Sequence, residues 1–192
     1  MSDPVLDYWR SGKGLEHITP PGTTWPEGEG FPLFLANLLV GEEVVEVGCG
    51  VGRLASALPP DSYVGVDVSR GAVELARERC PAHDFRLMAP EDDLPAGSAA
   101  LLHTVLLHVT DEALPSLVAR LSGFGRIVVG EIMGRHWRRP GNPPVFNREL
   151  ADYEEAFEVA GFRLLTTYAI SYPRYKDTFL TVADFRKGDG PA

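Results

Sequence analysis

The chain has 192 residues, which suits one domain with a full-sized core, and its 44% hydrophobic and 23% charged content is an ordinary globular composition. A net charge of −9 argues against broad non-specific binding to a phosphate backbone, which needs a basic surface. No apolar run approaches the ~18–20 residues that span a bilayer, so no membrane association is expected. The opening MSDPVLDYWRSGKG lacks the basic-then-apolar pattern of a secretory signal. Cys49 and Cys80 form neither a metal nor a redox spacing, so a cytoplasmic, reducing setting and no metal are expected.

Taken in order, residues 1–30 read as irregular, because Pro20, Pro21, Pro26 and several glycines rule out a long helix. Residues 31–40 (FPLFLANLLV) read as a short apolar helix, 43–47 as a buried strand and 51–58 as a helix. A strand over 63–67 (YVGVD), a helix over 70–79 and a short strand over 84–88 follow. Residues 99–107 contain a strand, 111–122 a helix opened by an acidic cap, and 126–133 (RIVVGEIM) a strand. Residues 148–160 form an amphipathic helix stopped at Gly161. This alternation predicts a parallel sheet with helices on both faces. Only about seven residues separate the last two strands, 162–170 and 178–185, whereas a parallel crossover needs about a dozen. They are therefore predicted to form an antiparallel hairpin.

The stretch EVGCGVG (46–52) carries the chemistry. A strand ending in glycines and turning into a helix makes a bare backbone cradle, because glycine permits positive φ and lacks the Cβ that would hold a ligand off. The helix N-terminus would add free N–H groups and a positive dipole end. Dinucleotide binders use the spacing G-x-G-x-x-G, but here Gly48, Gly50 and Gly52 alternate and Arg53 stands at the third slot. Glu46 would repel a phosphate; it could suit an ammonium group instead, directly or through water, or brace the loop by accepting its N–H bonds. Asp67 ends the next strand, where a carboxylate can accept both hydroxyls of an unphosphorylated ribose. Ammonium plus ribose describes S-adenosylmethionine.

With these motifs, the sequence resembles the class I (Rossmann-like) S-adenosylmethionine-dependent methyltransferases over about residues 31–186. EVGCGVGRL is similar to that family's glycine motif, YVGVDVS to its ribose-binding acidic strand and LLHTVLLHVTDEAL to its fourth-strand region. The resemblance implies a seven-stranded, mostly parallel sheet with an antiparallel C-terminal strand. It also implies a single methyltransferase domain over 31–192, preceded by a substrate-capping segment over 1–30. Glu46, Gly48, Cys49, Gly50, Gly52, Asp67, Val68 and Leu106 would then surround S-adenosylmethionine and its product S-adenosylhomocysteine. The family's usual acidic residue at the adenine is replaced here by Pro90, which leaves Glu91 or Asp92 as substitutes. His103 and His108 lie where the fourth strand meets its loop; either could accept a proton from a nucleophile, or serve structurally.

All three tryptophans fall in the two irregular segments, residues 1–30 and 134–147. Tyr8, Trp9, Trp25, Trp137, Tyr172 and Tyr175 could lid a small substrate or merely seal the core, and Arg135 could grip an anionic group or pair with nearby acids. The expected activity is methyl transfer to oxygen or nitrogen of a small metabolite, by a monomer or homodimer. The alternatives are a methyltransferase acting on RNA or protein, and a non-catalytic S-adenosylmethionine-binding partner subunit. A nicotinamide oxidoreductase is disfavoured by Arg53 and the final hairpin.

Overall fold

A computed structural model describes residues 4–17, 25–137, 145–172 and 178–188. Seven strands form one sheet: β1 (Val44–Val47), β2 (Tyr63–Asp67), β3 (Asp84–Leu87), β4 (Ala99–His103), β5 (Arg126–Glu131), β6 (Phe162–Ser171) and β7 (Phe179–Lys187). Their order is β3-β2-β1-β4-β5-β7-β6. The first five pair in parallel, and β7 runs antiparallel to both β5 and β6, so the reversed strand lies inside the edge strand β6. The chain runs outward from β1 to β3 and then returns to place β4 on the other side of β1. Such a reversal opens a crevice beyond the C-terminal ends of β1 and β4.

Strand side chains alternate between two cores. Val44, Leu101 and Val128 face one, with α2 (Phe31–Leu38) and α3 (Arg70–Arg79) packed through Phe31, Leu35, Val73 and Ala76. Val45, Ala100, Leu102, Ile127 and Val129 face the other, against α4 (Leu114–Arg120) and α5 (Leu150–Val159), whose Leu114, Val118, Tyr153 and Phe157 are buried. This period of two on central strands covered on both faces is why they read as continuous apolar runs.

Three elements depart from the sequence reading. Residues 51–58 form no α-helix; turns occupy 51–54 and a 3-10 turn spans Ala55–Ala57. Gly52 has φ of +75°, outside the right-handed region, and Pro59 and Pro60 close the segment. Helix α4 begins at Leu114 without a side-chain cap, because Pro115 suits a first turn and Asp111 lies outside it. The N-terminal segment is not all irregular: Pro4 starts α1 (Pro4–Arg10), which buries Val5 and Tyr8 on one face, and a 3-10 turn follows at Lys13–His17. Among the described residues, no helix is long and apolar enough to cross a membrane.

Candidate active site

The loop after β1 is held by its own main chain. Gly48 and Cys49 both donate N–H to the Val66 carbonyl, at 2.8 and 3.0 Å, and Gly52 N–H reaches Cys49 O at 3.1 Å. Gly48, Gly50 and Gly52 all have positive φ. A Cβ at Gly48 would come within 2.5 Å of Val105 Cγ2, so the loop can lie against the loop after β4 only with glycine there. With no α-helix behind it, the loop lacks the dipole end that would attract a diphosphate. What remains is a bare, uncharged cradle.

Asp67 closes the cradle from β2. Its Oδ2 accepts Gly50 N–H at 2.9 Å and its Oδ1 accepts Ser69 N–H at 2.8 Å. Burial pushes its carboxyl up, while N–H groups of Ser69, Gly50 and Val68 pull it back. Each carboxylate oxygen can accept a second hydrogen, so the pair retains capacity for a diol. Glu46 behaves differently. It is buried and accepts the Tyr63 hydroxyl, which leans over Gly65, where a Cβ would come within 2.8 Å of that oxygen. Burial raises its carboxyl to about 8, so near neutral pH it is mostly an uncharged brace beneath the loop. The structure thus favours bracing over ammonium binding for Glu46. Cys49 is buried small filler in the same core.

The loop after β4 is fixed from two sides. Glu131, fully buried at the end of β5, accepts N–H from Val105 at 2.9 Å and Leu106 at 2.6 Å through Oε1. Burial raises its carboxyl to about 8, and Oε2 has no hydrogen-bond partner among the described residues. Buried Arg148 donates to Leu106 O at 2.9 Å, Val109 O at 2.8 Å and Asp111 at 2.7 Å. These clamps set the 3-10 turn Leu106–His108, with Leu106 buried and His108 half-buried. A carboxylate among the apolar residues that follow Arg126 in RIVVGEIM was the signal for Glu131; Arg148 gave no local signal.

The N-terminal segment reaches two loops and the first turn of a helix along this edge. Trp9 lies against His108, with ring centroids 4.9 Å apart. Arg10 pairs with exposed Glu91 at 3.7 Å, beyond β3. Leu15 lies over Gly71, where a Cβ would be 3.1 Å from Leu15 Cδ1, at the start of α3. Tyr8 is buried behind Trp9, and its hydroxyl bonds Lys13 O at 3.2 Å. Trp25 and Glu27 meet Arg53: the guanidinium stands 5.2 Å from the Trp25 ring centroid and is gripped by both Glu27 oxygens, at 2.8 and 3.0 Å.

His103 is buried and set apart from His108. Its Nε2 lies 2.8 Å from Glu27 Oε1. Burial pushes the Glu27 carboxyl up, but the His103 hydrogen bond and the charges on His103 and Arg53 bring it down to about 2. Ionised Glu27 can only accept, so Nε2 carries the hydrogen. Burial keeps His103 itself below its usual value and hence neutral at pH 7. Other sequence candidates have partners elsewhere or lie outside the described residues. Arg135 is exposed and its guanidinium and N–H go to Asp152 and Glu149 at the start of α5, which satisfies it without a substrate anion. Asp92 accepts Ala89 N–H at 2.7 Å within its own turn, and Tyr172 is buried in the core beside α2. Trp137 ends a 3-10 turn, and Tyr175 lies outside the described residues. Among the described residues, no group of three or more His, Cys, Asp or Glu is placed to hold a metal.

Residues 44–124 match the family model described as "Methyltransferase domain". Over those residues the chain is similar to methyltransferase domains, and its sheet order is that of a Rossmann-like fold. The chain is 29% identical over 167 residues to "O-methyltransferase cnsE" of Penicillium expansum, a match spanning 80% of the chain. The chain covers 57% of that curated relative's length. Among solved structures, it superposes on magnesium protoporphyrin IX methyltransferase (ChlM) from Synechocystis PCC 6803 with bound SAM. That match has a TM-score of 0.74 at 17% identity, over 98% of this chain and 99% of that one. It also superposes on Burkholderia thailandensis 1,6-didemethyltoxoflavin-N1-methyltransferase with bound 1,6-didemethyltoxoflavin and S-adenosylhomocysteine. There the TM-score is 0.69 at 17% identity, over 97% and 86% of the two chains. At such identities these structures establish the fold.

Proposed function

We propose that the protein transfers a methyl group from S-adenosylmethionine to oxygen or nitrogen of a small, aromatic or anionic acceptor. It would act in the cytoplasm, as a monomer or homodimer. The observation that carries this reading is the juxtaposition of Asp67 with the bare Gly48–Gly52 loop. A carboxylate with spare acceptor capacity stands 2.9 Å from a loop N–H, in a loop whose three glycines carry no Cβ and have positive φ. That donor and acceptor set fits a ribose diol and the adjoining thioether, and lacks the helix dipole a diphosphate needs. When bound, S-adenosylmethionine supplies an electrophilic methyl group and leaves as S-adenosylhomocysteine.

The chain's residues then have distinct tasks. Asp67 accepts the ribose hydroxyls, and Val68 continues that wall. The Gly48, Gly50 and Gly52 backbone lines the methionine end, with Glu46 bracing it from below through Tyr63. Leu106 and His108, held by Glu131 and Arg148, line the acceptor side. Trp9 covers His108 and excludes water, and His108 is the side chain on that loop able to take the acceptor's proton. Orientation carries most of the rate, since a good nucleophile needs little further activation. cnsE, the protoporphyrin enzyme and the toxoflavin enzyme are methyltransferases, two of them named for small-molecule acceptors, which supports a small acceptor here. Both cysteines are free thiols, in keeping with a reducing compartment.

The test is incubation with S-adenosylmethionine carrying an isotopically labelled methyl group and a panel of phenols, N-heteroaromatics and aromatic carboxylates, read by mass spectrometry. Label in a small acceptor together with release of S-adenosylhomocysteine is the expected result. Label appearing instead in RNA or protein substrates would overturn the small-acceptor assignment.

A further inference from the structure

Glu27, Arg53 and His103 come from three separate parts of the chain and meet in one cluster. Glu27 lies in the turn between the N-terminal segment and α2, Arg53 directly follows Gly52, and His103 ends β4. The Glu27 side chain is fully buried, and its two oxygens take both guanidinium nitrogens of Arg53 and Nε2 of His103, each contact at 2.8–3.0 Å. Neighbouring residues are shaped around the cluster. Trp25 lies under the Arg53 guanidinium, Phe31 packs against the Trp25 ring at 6.1 Å and the His103 ring at 5.4 Å, and Gly130 leaves the space that the His103 ring fills.

A seal between a turn and a core is made most cheaply by apolar side chains, because a buried carboxylate must be desolvated. A two-point fork adds fixed geometry, which apolar contact does not. Here that geometry joins the cap, the residue next to the cradle and the strand end beneath the loop after β4. Of these, Arg53 adjoins the proposed cofactor loop, and Glu27 and His103 tie it to the N-terminal segment and to β4.

We propose that Glu27 is a positioning residue that couples cofactor binding to docking of the N-terminal cap. The inference rests on the S-adenosylmethionine reading above. A docked cap holds Arg53 and thereby the shape of the loop that ends at Gly52. By reciprocity, a filled loop holds Arg53 where Glu27 can grip it and so favours the docked cap.

Hydrogen–deuterium exchange of residues 4–17 and 25–30, with and without S-adenosylhomocysteine, reads the coupling in the unmodified chain. Calorimetric affinity and steady-state kinetics of Glu27→Gln read the role of the carboxylate. The expected result is that S-adenosylhomocysteine slows cap exchange in the wild type and does so much less in Glu27→Gln. The variant's affinity for the product should fall at least about fivefold, with KM for S-adenosylmethionine rising more than kcat falls. Arg53→Lys keeps the charge and loses the fork; it should shift both readouts in the same direction, and it carries the test if Glu27→Gln does not fold. Cap exchange that ignores ligand in the wild type would overturn the proposal. So would variants that lose thermal stability yet bind S-adenosylhomocysteine as the wild type does. A wild type that binds no S-adenosylhomocysteine removes the cofactor reading itself, whereas tight binding by wild type and variants alike removes only the coupling.

Discussion

The Trp9 indole and the His108 imidazole lie with ring centroids 4.9 Å apart and planes tilted by 58°. One belongs to the N-terminal helix and the other to the loop after β4, so this contact brings α1 onto the side of the crevice proposed for the acceptor. Trp9→Ala removes the ring pair and the packing on Gly14. We expect KM for the acceptor to rise roughly tenfold, with a loss of about 1–2 kcal/mol in stability and a smaller change in cofactor affinity. Kinetics with each substrate varied in turn separate these effects.

Gly48 is constrained twice, by a φ of +76° and by Val105 Cγ2 at 2.5 Å from the position of a Cβ. Gly48→Ala should destabilise the fold by about 1–3 kcal/mol in urea unfolding and weaken S-adenosylhomocysteine binding. Gly48→Ala with Val105→Ala should recover the part due to crowding and leave the part due to φ.

Asp67 holds Gly50 and Ser69 and, on this account, the ribose. Asp67→Ala should lower cofactor affinity roughly a hundredfold, the equivalent of two hydrogen bonds to a charged group at about 1.5 kcal/mol each. Asp67→Asn keeps one acceptor oxygen and should fall between. Calorimetric titration of the three proteins measures this series.

Arg148 donates to two carbonyls and to Asp111 from a buried position. Arg148→Met leaves those carbonyls without their donor and should cost about 3 kcal/mol by urea unfolding. Because the loop it holds carries His108, kcat should fall as well in protein that remains folded.

Glu131 and Glu46 both have carboxyls raised by burial to about 8, against a usual value of 4.5. The native state keeps protons that the unfolded chain releases near pH 4.5. Their contribution to stability is therefore greatest at low pH and declines as pH rises from about 4.5 to about 8. Glu27 acts oppositely and only below pH 4.5, where its contribution fades as pH falls towards about 2. Urea midpoints at pH 5, 6.5 and 8 should decline with pH in the wild type, and the decline should be shallower in Glu131→Gln.

The parts of this molecule that were legible in the sequence are those with a local signature. Alternating glycines after a β-branched strand, an acid at the end of the next strand and a short gap before the last strand located the cradle, Asp67 and the reversed β7. The glycines also misled, because Gly52 at positive φ prevents the helix that the apolar pattern of 51–58 suggests. The apolar Val5 and Tyr8, spaced for one helical face behind Pro4, were the overlooked sign of α1. Arg53 was noticed only as the residue occupying a glycine slot. Its partner Glu27 lies 26 positions away, and no period links them. Arg148 likewise acts on carbonyls that only the folded topology brings near. Arg135 could be read as gripping an anion or as pairing with an acid, and only the fold brings α5 and its Asp152 close enough to favour the second.

Calorimetric titration of the wild-type protein with S-adenosylhomocysteine, with NADH as the control ligand, bears on the cradle most directly. Saturable one-to-one binding of S-adenosylhomocysteine, with no heat from NADH, is the result expected from a bare loop flanked by Asp67. Saturable NADH binding, or no binding of S-adenosylhomocysteine at saturating concentration, would contradict it.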